Sequence, residues 1–417
     1  MKKHSVWKLL VVVLAMAAML SACQSTQNKA SETVNNTAAA NTNAPLTLCQ
    51  SCTADGYYQT EVFYTDKTNV NLTYFDFNSK KQIFLCEQPG CTHDTESCRS
   101  YVEGIPYVIN DSLVLFLMTE NETTPGNIQL ADKNGANRRL LMEFPADCRV
   151  STPVYHDGQN LYMMAEQSIP DTADIVKKIV KVSLQDGSLT EIYAFDKKDY
   201  AASLSGAWGR NLIISHCRMD EQHNVYSDKC FLNMDTGEMD EEPLAVLDAE
   251  NEGAVVGDGV LYRIKYPEQK IEILDLETKE TQTVDYAPVA ASIDGTLEPD
   301  VGLSVIEPGI LHLYFKDFSG EEAKHYDVMF NIESGEYHPF TLFKPYNHTI
   351  IEPLAETKDS FLVQTDWKAS SAGVDEMGYE IQRFDAQYAM ISKSDYENSI
   401  PNYIPIASDI YPDAWEK

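Results

Sequence analysis

The chain has 417 residues, with 64 acidic against 32 basic side chains, a formal net charge of −32 and an ordinary 43% of hydrophobic residues. That composition excludes a disordered chain, and the acidity excludes a nucleic-acid binder, because neutralising phosphates takes a basic face. It also disfavours docking by charge on an anionic membrane surface.

Residues 1–22 read as a leader. Lys2, Lys3 and Lys8 make a basic start, and Leu9 to Leu20 is an unbroken apolar run. The run is shorter than the ~20 residues a spanning helix needs and has the length of a signal-peptide core. Leu20-Ser21-Ala22-Cys23 then resembles a bacterial lipoprotein signal box, in which the cysteine thiol takes the diacylglyceryl group and its fatty chains. This places the chain on the outer side of the cell membrane, held by lipid at Cys23. Residues 23–45, rich in Ser, Thr, Asn and Ala, have almost nothing apolar to bury and read as a flexible tether. Residues 46–417 read as one domain.

Within that domain long helical patterns are scarce, and short strand-like runs end in Asp-Gly, Thr-Gly and Ser-Gly turns. A turn-like group followed by an apolar strand recurs, with its leucine at 113, 161, 212, 261, 311 and 362, spaced by 48, 51, 49, 50 and 51. An earlier copy at Asp55-Gly56-Tyr57-Tyr58 makes seven units. Each unit adds a strand, a tight turn and a return strand, as in Ile179–Leu184 with its turn at Asp186-Gly187. Four strands per ~50 residues, repeated, predict an all-β fold: a β-propeller of seven four-stranded blades. A β-sandwich pair and a β-solenoid are the competing readings, and neither accounts for a 50-residue period held this long. The first unit lacks its own inner strand, and residues 407–417 are the expected donor.

Naming the strands A to D from axis to rim puts the B–C loops and the linkers between blades on one face. The A–B and C–D turns lie on the other. The segments Thr119–Asn127, Glu166–Lys177, Arg218–Lys229 and Trp367–Glu380 read as long B–C loops, so the B–C face is the expected binding face. Trp367 opens the longest of them and is a candidate stacking platform for a ligand; Trp208 reads as core.

The sharpest local motif is Cys86-x4-Cys91-x-His93-x4-Cys98. Three thiols and an imidazole match a closed tetrahedral zinc shell, structural rather than catalytic because no position is left open. Disulfides are the other reading, since eight cysteines remain after Cys23 and an exterior address permits them. Cys217 with Cys230, and Cys49 and Cys52, are further disulfide candidates. Both readings stay open for Cys86, Cys91 and Cys98, with His93 as the fourth ligand in the metal reading. Cys49 and Cys52 belong to the opposite face and are expected to stay out of the cluster.

The segment L-C-x-x-P-x-C-x-H-x4-C, carried here by Leu85, Cys86, Pro89, Cys91, His93 and Cys98, resembles a motif of uncharacterised propeller lipoproteins of Gram-positive gut bacteria. The resemblance runs from the lipoprotein box to the C-terminus. It implies a surface lipoprotein with a TolB-like or related propeller and no established activity.

No G-x-S-x-G, H-E-x-x-H, Walker, Rossmann or EF-hand pattern is present. His156 and His312 read as turn and strand residues. The acidic stretch Asp235–Glu242 reads as a solvated turn. The expected function is non-enzymatic binding of an extracellular ligand or protein partner on the B–C face. The alternative is a propeller enzyme of glycosidase or lyase type with carboxylates converging in the central funnel, and a third reading is a purely structural envelope protein.

Overall fold

The computed structural model describes residues 44–410, except 65–67, 119–124, 170–173, 197–200, 294–296, 318–323, 375–377 and 379. The leader, Cys23 and the tether up to residue 43 lie outside the described residues. After a two-residue strand β1 (Thr47–Leu48), the chain builds seven antiparallel sheets. Blade 1 holds β2 (Gly56–Tyr64), β3 (Thr68–Asp76) and β4 (Lys81–Phe84). Blade 2 holds β5 (Ile105–Ile109), β6 (Ser112–Leu117), β7 (Asn127–Asp132) and β8 (Arg139–Glu143). Blade 3 holds β9 (Cys148–His156), β10 (Asn160–Ser168), β11 (Ile175–Ser183) and β12 (Leu189–Ala194). Blade 4 holds β13 (Ser203–Trp208), β14 (Asn211–Met219), β15 (Val225–Asn233) and β16 (Ala245–Asp248). Blade 5 holds β17 (Glu252–Gly257), β18 (Val260–Lys265), β19 (Lys270–Asp275) and β20 (Thr281–Asp285), followed by a single-turn helix α1 (Ala287–Ala291). Blade 6 holds β21 (Leu297–Glu307), β22 (Ile310–Asp317), β23 (Lys324–Asn331) and β24 (Tyr337–Pro339). Blade 7 holds β25 (Pro353–Glu356), β26 (Ser360–Val374), β27 (Glu380–Ser392) and β28 (Ile404–Pro405), with α2 (Lys393–Glu397) between its last two strands. A final short strand is β29 (Ala407–Ser408). The propeller expected from the 50-residue period is therefore the fold. Among the described residues no helix is long and apolar enough to cross a membrane.

The periodic leucines all lie on B strands, and the reason for their constancy is burial on both faces. Leu113 and Leu115 of β6 pack toward blade 1, whereas Val114 and Phe116 of the same strand pack toward blade 3. Leu161 and Met163 of β10 likewise face blade 2, and Tyr162 and Met164 face blade 4. A strand sandwiched between two neighbours reads as a continuous apolar run rather than an alternation. Seven apolar clusters fill the seven interfaces between blades.

Closure of the ring differs from the expectation. In blades 3, 4, 5, 6 and 7 an amide just past strand C donates to a carbonyl of the A–B turn: Leu184 to Gln159, Met234 to Arg210, Leu276 to Gly259, Ile332 to Gly309 and Lys393 to Asp359. Phe77 makes the same bond to Asp55 in blade 1. That equivalence makes β2, β3 and β4 the B, C and D strands, and the inner strand is indeed the missing one. Residues 407–417 do not supply it. β29 pairs parallel with β4, Ala407 opposite Lys81 and Ser408 opposite Gln82, at the other edge of the sheet; 411–417 lie outside the described residues. The inner place is taken by the N-terminal segment, a strap that crosses the A–B mouth of the channel. Its Leu46 amide donates to Gly209 (2.7 Å), Cys49 to Val154 (2.8 Å), and its Gln50 and Ser51 carbonyls accept from Val108 and Tyr58 (2.8 Å each). β1 itself pairs with β9. The strap thus touches blades 4, 3, 2 and 1 in turn.

The expected B–C loops are largely strand. β26 and β27 form one long hairpin, and β10–β11 and β14–β15 run almost to their tips. Truncating the chain before Ala407 leaves the β4 edge unpaired and removes the link from blade 7 to blade 1. The melting temperature is expected to fall by roughly 5 °C or more, given the few degrees that each kcal/mol is worth; an unchanged melting curve would remove β29 from the closure.

Candidate functional site

The linker from β4 to β5 carries the cysteine motif and lies on the B–C face. Gln88-Pro89-Gly90-Cys91 forms a tight turn, with the Cys91 amide bonded to the Gln88 carbonyl at 3.2 Å and Gly90 at φ +72°. Proline then glycine is the residue order such a turn requires, and it folds Cys91 back toward Cys86. His93 follows in the left-handed region at φ +59°, a conformation that a non-glycine residue holds only when its surroundings impose it. Two contacts do so. The buried Asn71 of β3 donates to the His93 carbonyl (2.9 Å) and to the Ser100 hydroxyl (3.1 Å). The His93 ring stacks on Phe84, centroids 4.2 Å apart and planes 19° apart.

One ligand atom from each of Cys86, Cys91, His93 and Cys98 lies within 4.8 Å of the others. A tetrahedral zinc with Zn–S near 2.3 Å and Zn–N near 2.0 Å brings its ligand atoms within ~4 Å of one another, so the four fit the ion with small adjustments. His93 Nδ1 is 3.2 Å from Cys98 Sγ, and the Ser100 hydroxyl is 3.1 Å from the same sulfur. Burial pushes the Cys98 thiol up, but bonds from Ser100 and His93 outweigh it and hold the thiol at about 6; the thiolate is the form that binds metal. With zinc bound, the ion supplies a cross-link and Lewis-acid charge, and the protein holds four ligands with Ser100 and Asn71 behind them.

The other cysteines stand apart. All eight described cysteines are free thiols. Cys217 lies opposite Ser227 and Cys230 opposite Ile214. The three-residue offset puts them on opposite faces of the hairpin, so the expected cross-strand pair is not brought together. Cys49 packs in the core between blades 2 and 3, and Cys52 against the core between blades 7 and 1; the strap keeps both at the A–B mouth, out of the cluster. Trp367 does not open a loop. It sits within β26, half-buried against the cluster of Phe75 and Tyr388. Trp208 packs on the core between blades 4 and 5. His156 accepts from the Gly158 amide in its turn (3.1 Å). His312 is more than a strand residue: it is buried, with Nε2 2.9 Å from Asp327 Oδ1.

At the A–B mouth, Glu307, Glu356 and Lys393 line a cavity of about 760 Å³ beside the strap. Lys393 bonds Glu307, and Glu356 lies 3.4 Å from its ammonium. Burial, then the hydrogen bond and charge of Glu307, push the Glu397 carboxyl up to about 7 against the pull of Lys393. Two carboxyls in hydrogen-bond contact are closer than the ~5–9.5 Å separations used in glycoside hydrolysis, so this pair does not match the enzymatic arrangement.

Two outcomes follow from these geometries. Protein purified without chelator is expected to hold about one zinc per chain, lost in His93→Ala, with Ser100→Ala weakening zinc by roughly 10–100-fold as outer-shell changes do; no metal and no free thiols at 86, 91 and 98 would establish the disulfides instead. The second concerns pH. Folded Glu397 keeps a proton that the unfolded chain releases above about 4.5, so its contribution is complete below that pH and is lost as pH rises toward about 7. Glu307, Glu356 and Lys393 face it, and His338 contacts its main-chain carbonyl. Thermal melts from pH 4.5 to 7 should therefore show a smaller loss of stability in Glu397→Gln than in the wild type.

No protein-family model matches the chain, and no curated protein matches it in sequence. Among solved structures it is similar to an oligogalacturonate lyase in complex with manganese, at 14% identity and a TM-score of 0.45 over 84% of this chain and 92% of that one. It is also similar to the β-propeller domain of the Trilobed protease from Pyrococcus furiosus, which has an open velcro topology, at 14% identity and a TM-score of 0.43 over 85% and 98%. A third is the Pyrococcus horikoshii acylaminoacyl peptidase, at 14% identity and a TM-score of 0.48 over 87% of this chain and 52% of that one. The propeller assignment itself stands on this chain's own sheet order.

Proposed function

We propose that the chain is a lipid-anchored, extracytoplasmic binding protein, held at the membrane through Cys23 and binding on its B–C face, with a structural zinc at Cys86, Cys91, His93 and Cys98. One observation supports the choice of face above all. The chain enters the described fold on the A–B face, where the Ala44 carbonyl accepts from Arg210 (2.9 Å) and Leu46 bonds Gly209. The long hairpins and the cysteine linker lie on the opposite, B–C face. The strap also fills one side of the A–B mouth. A rigid ring with projecting hairpins is suited to holding a ligand.

Metabolic labelling with a clickable fatty acid tests the anchor. The wild type is expected to take up the label and fractionate with membranes, and Cys23→Ala to lose the label and appear in the medium. A Cys23→Ala protein that still fractionates with membranes would contradict the reading.

A further inference from the structure

Apolar side chains fill every interface between blades, but on the face of blade 6 toward blade 7 they cover only the part nearer the A–B turn, with Ile306, Ile310 and Met329. On β22, Leu311, Leu313 and Phe315 pack toward blade 5 as the pattern demands. The alternate positions, which face blade 7, are Ile310, which joins the apolar cluster there, and then His312, Tyr314 and Lys316. Met329 opposite His312 on β23 is still apolar, but the other register partners are small or polar: Ser304 opposite His312 and Gly302 opposite Tyr314 on β21, with Asp327 opposite Tyr314 and His325 opposite Lys316 on β23. Burying polar groups between blades costs stability unless they are bonded, and here they line an open cleft, which marks a candidate site.

The space there is a cleft of about 910 Å³, within the range of small-molecule sites. Between Tyr314, Phe343 and Ile350 on its apolar walls, it gathers His312, Asp327 and Glu352. It continues past Ser304, His312, Ile350 and Glu352 into a channel cavity of about 510 Å³ that ends at strap residues Cys49–Cys52. Tyr314 is laid flat over Gly302. A Cβ at that glycine would fall 1.5 Å from the tyrosine ring, so only glycine lets the ring lie there. The ring is 39% exposed, and Phe343 beside it is 36% exposed. His312 is fixed by its bond to Asp327. Because a carboxylate only accepts, Nε2 carries a proton in that bond.

We propose that this cleft binds a neutral oligosaccharide, with one ring stacked on Tyr314. Charge decides the class. Asp327 and Glu352 repel an anionic ligand, and the Lys316 ammonium opposes a cationic one. What remains is a neutral molecule that offers an apolar ring face to an aromatic and many hydroxyls to carboxylates and imidazoles, which is the surface of a sugar. The proposal deepens the binding reading by naming the ligand of the same face. It does not depend on the anchor: loss of lipid labelling leaves it standing, and loss of sugar binding leaves the anchor standing.

The test is a panel of neutral, anionic and cationic oligosaccharides, screened by array and followed by calorimetry on the full chain. Neutral members are expected to bind. Tyr314→Ala should weaken them at least tenfold and Gly302→Ala, which displaces the ring without touching the ligand, by several-fold, both with unchanged circular dichroism. The proposal is overturned if no neutral member binds, if only charged members bind, or if binding survives both substitutions.

Discussion

Everything in this molecule depends on burying both faces of each small sheet against its neighbours. A four-stranded sheet alone exposes two faces and two edges, and it becomes stable only when the row of blades returns to its start. The return takes place at blade 1, which brings three strands of its own. The C-terminus reaches its outer strand through Ala407 and Ser408, and the N-terminal strap reaches its inner side through Ser51 and Cys52. The ring is therefore held from both chain ends at one blade. The side chains agree with the backbone: Ile406 and Tyr57 join Phe75, Leu362 and Tyr388 in the cluster between blades 7 and 1.

The strap sets the shape of the channel. By lying against blades 4 to 1 it fills one side of the A–B mouth, and the open volume shifts to blades 5, 6 and 7. The polar cleft lies on that same side. The cysteine cluster stiffens the blade that closes the ring, since it hangs from the end of β4 and is braced by Asn71 of β3. Closure, the cysteine–histidine cluster and the cleft are thus separate pieces of chemistry on one scaffold, and the first positions the other two.

Much of this was legible in the sequence, for physical reasons. The leucines from 113 to 362 sit on doubly buried strands, where nothing smaller or more polar serves, so the period survives. The turn at Pro89-Gly90 and the convergence of Cys86, Cys91, His93 and Cys98 followed from local spacing. The errors share a cause: each needed a register that no local pattern supplies. β29 makes a two-residue pairing, too short to leave a periodic trace. Cys217 and Cys230 bracket a hairpin, but its register separates them by three positions. Trp367 looked like the start of a loop because polar residues follow it, although the strand runs on to Val374. The cleft did leave a signal. His312 and Tyr314 alternate with Leu311, Leu313 and Phe315 on a B strand, where the counterparts of those two in blades 2 and 3 are Val114, Phe116, Tyr162 and Met164.

The central claim is that the two chain ends close the ring at blade 1. Amide hydrogen exchange at single-residue resolution tests it most directly, because the strap's bonds use amides that a free N-terminal tail would leave in water. The account predicts that the amides of Leu46, Cys49, Tyr58, Val108 and Ala407 exchange slowly, with protection close to that of the B-strand amides around them. Exchange of Leu46, Cys49 and Ala407 at the rate of an unstructured peptide, with the B strands still protected, would contradict it.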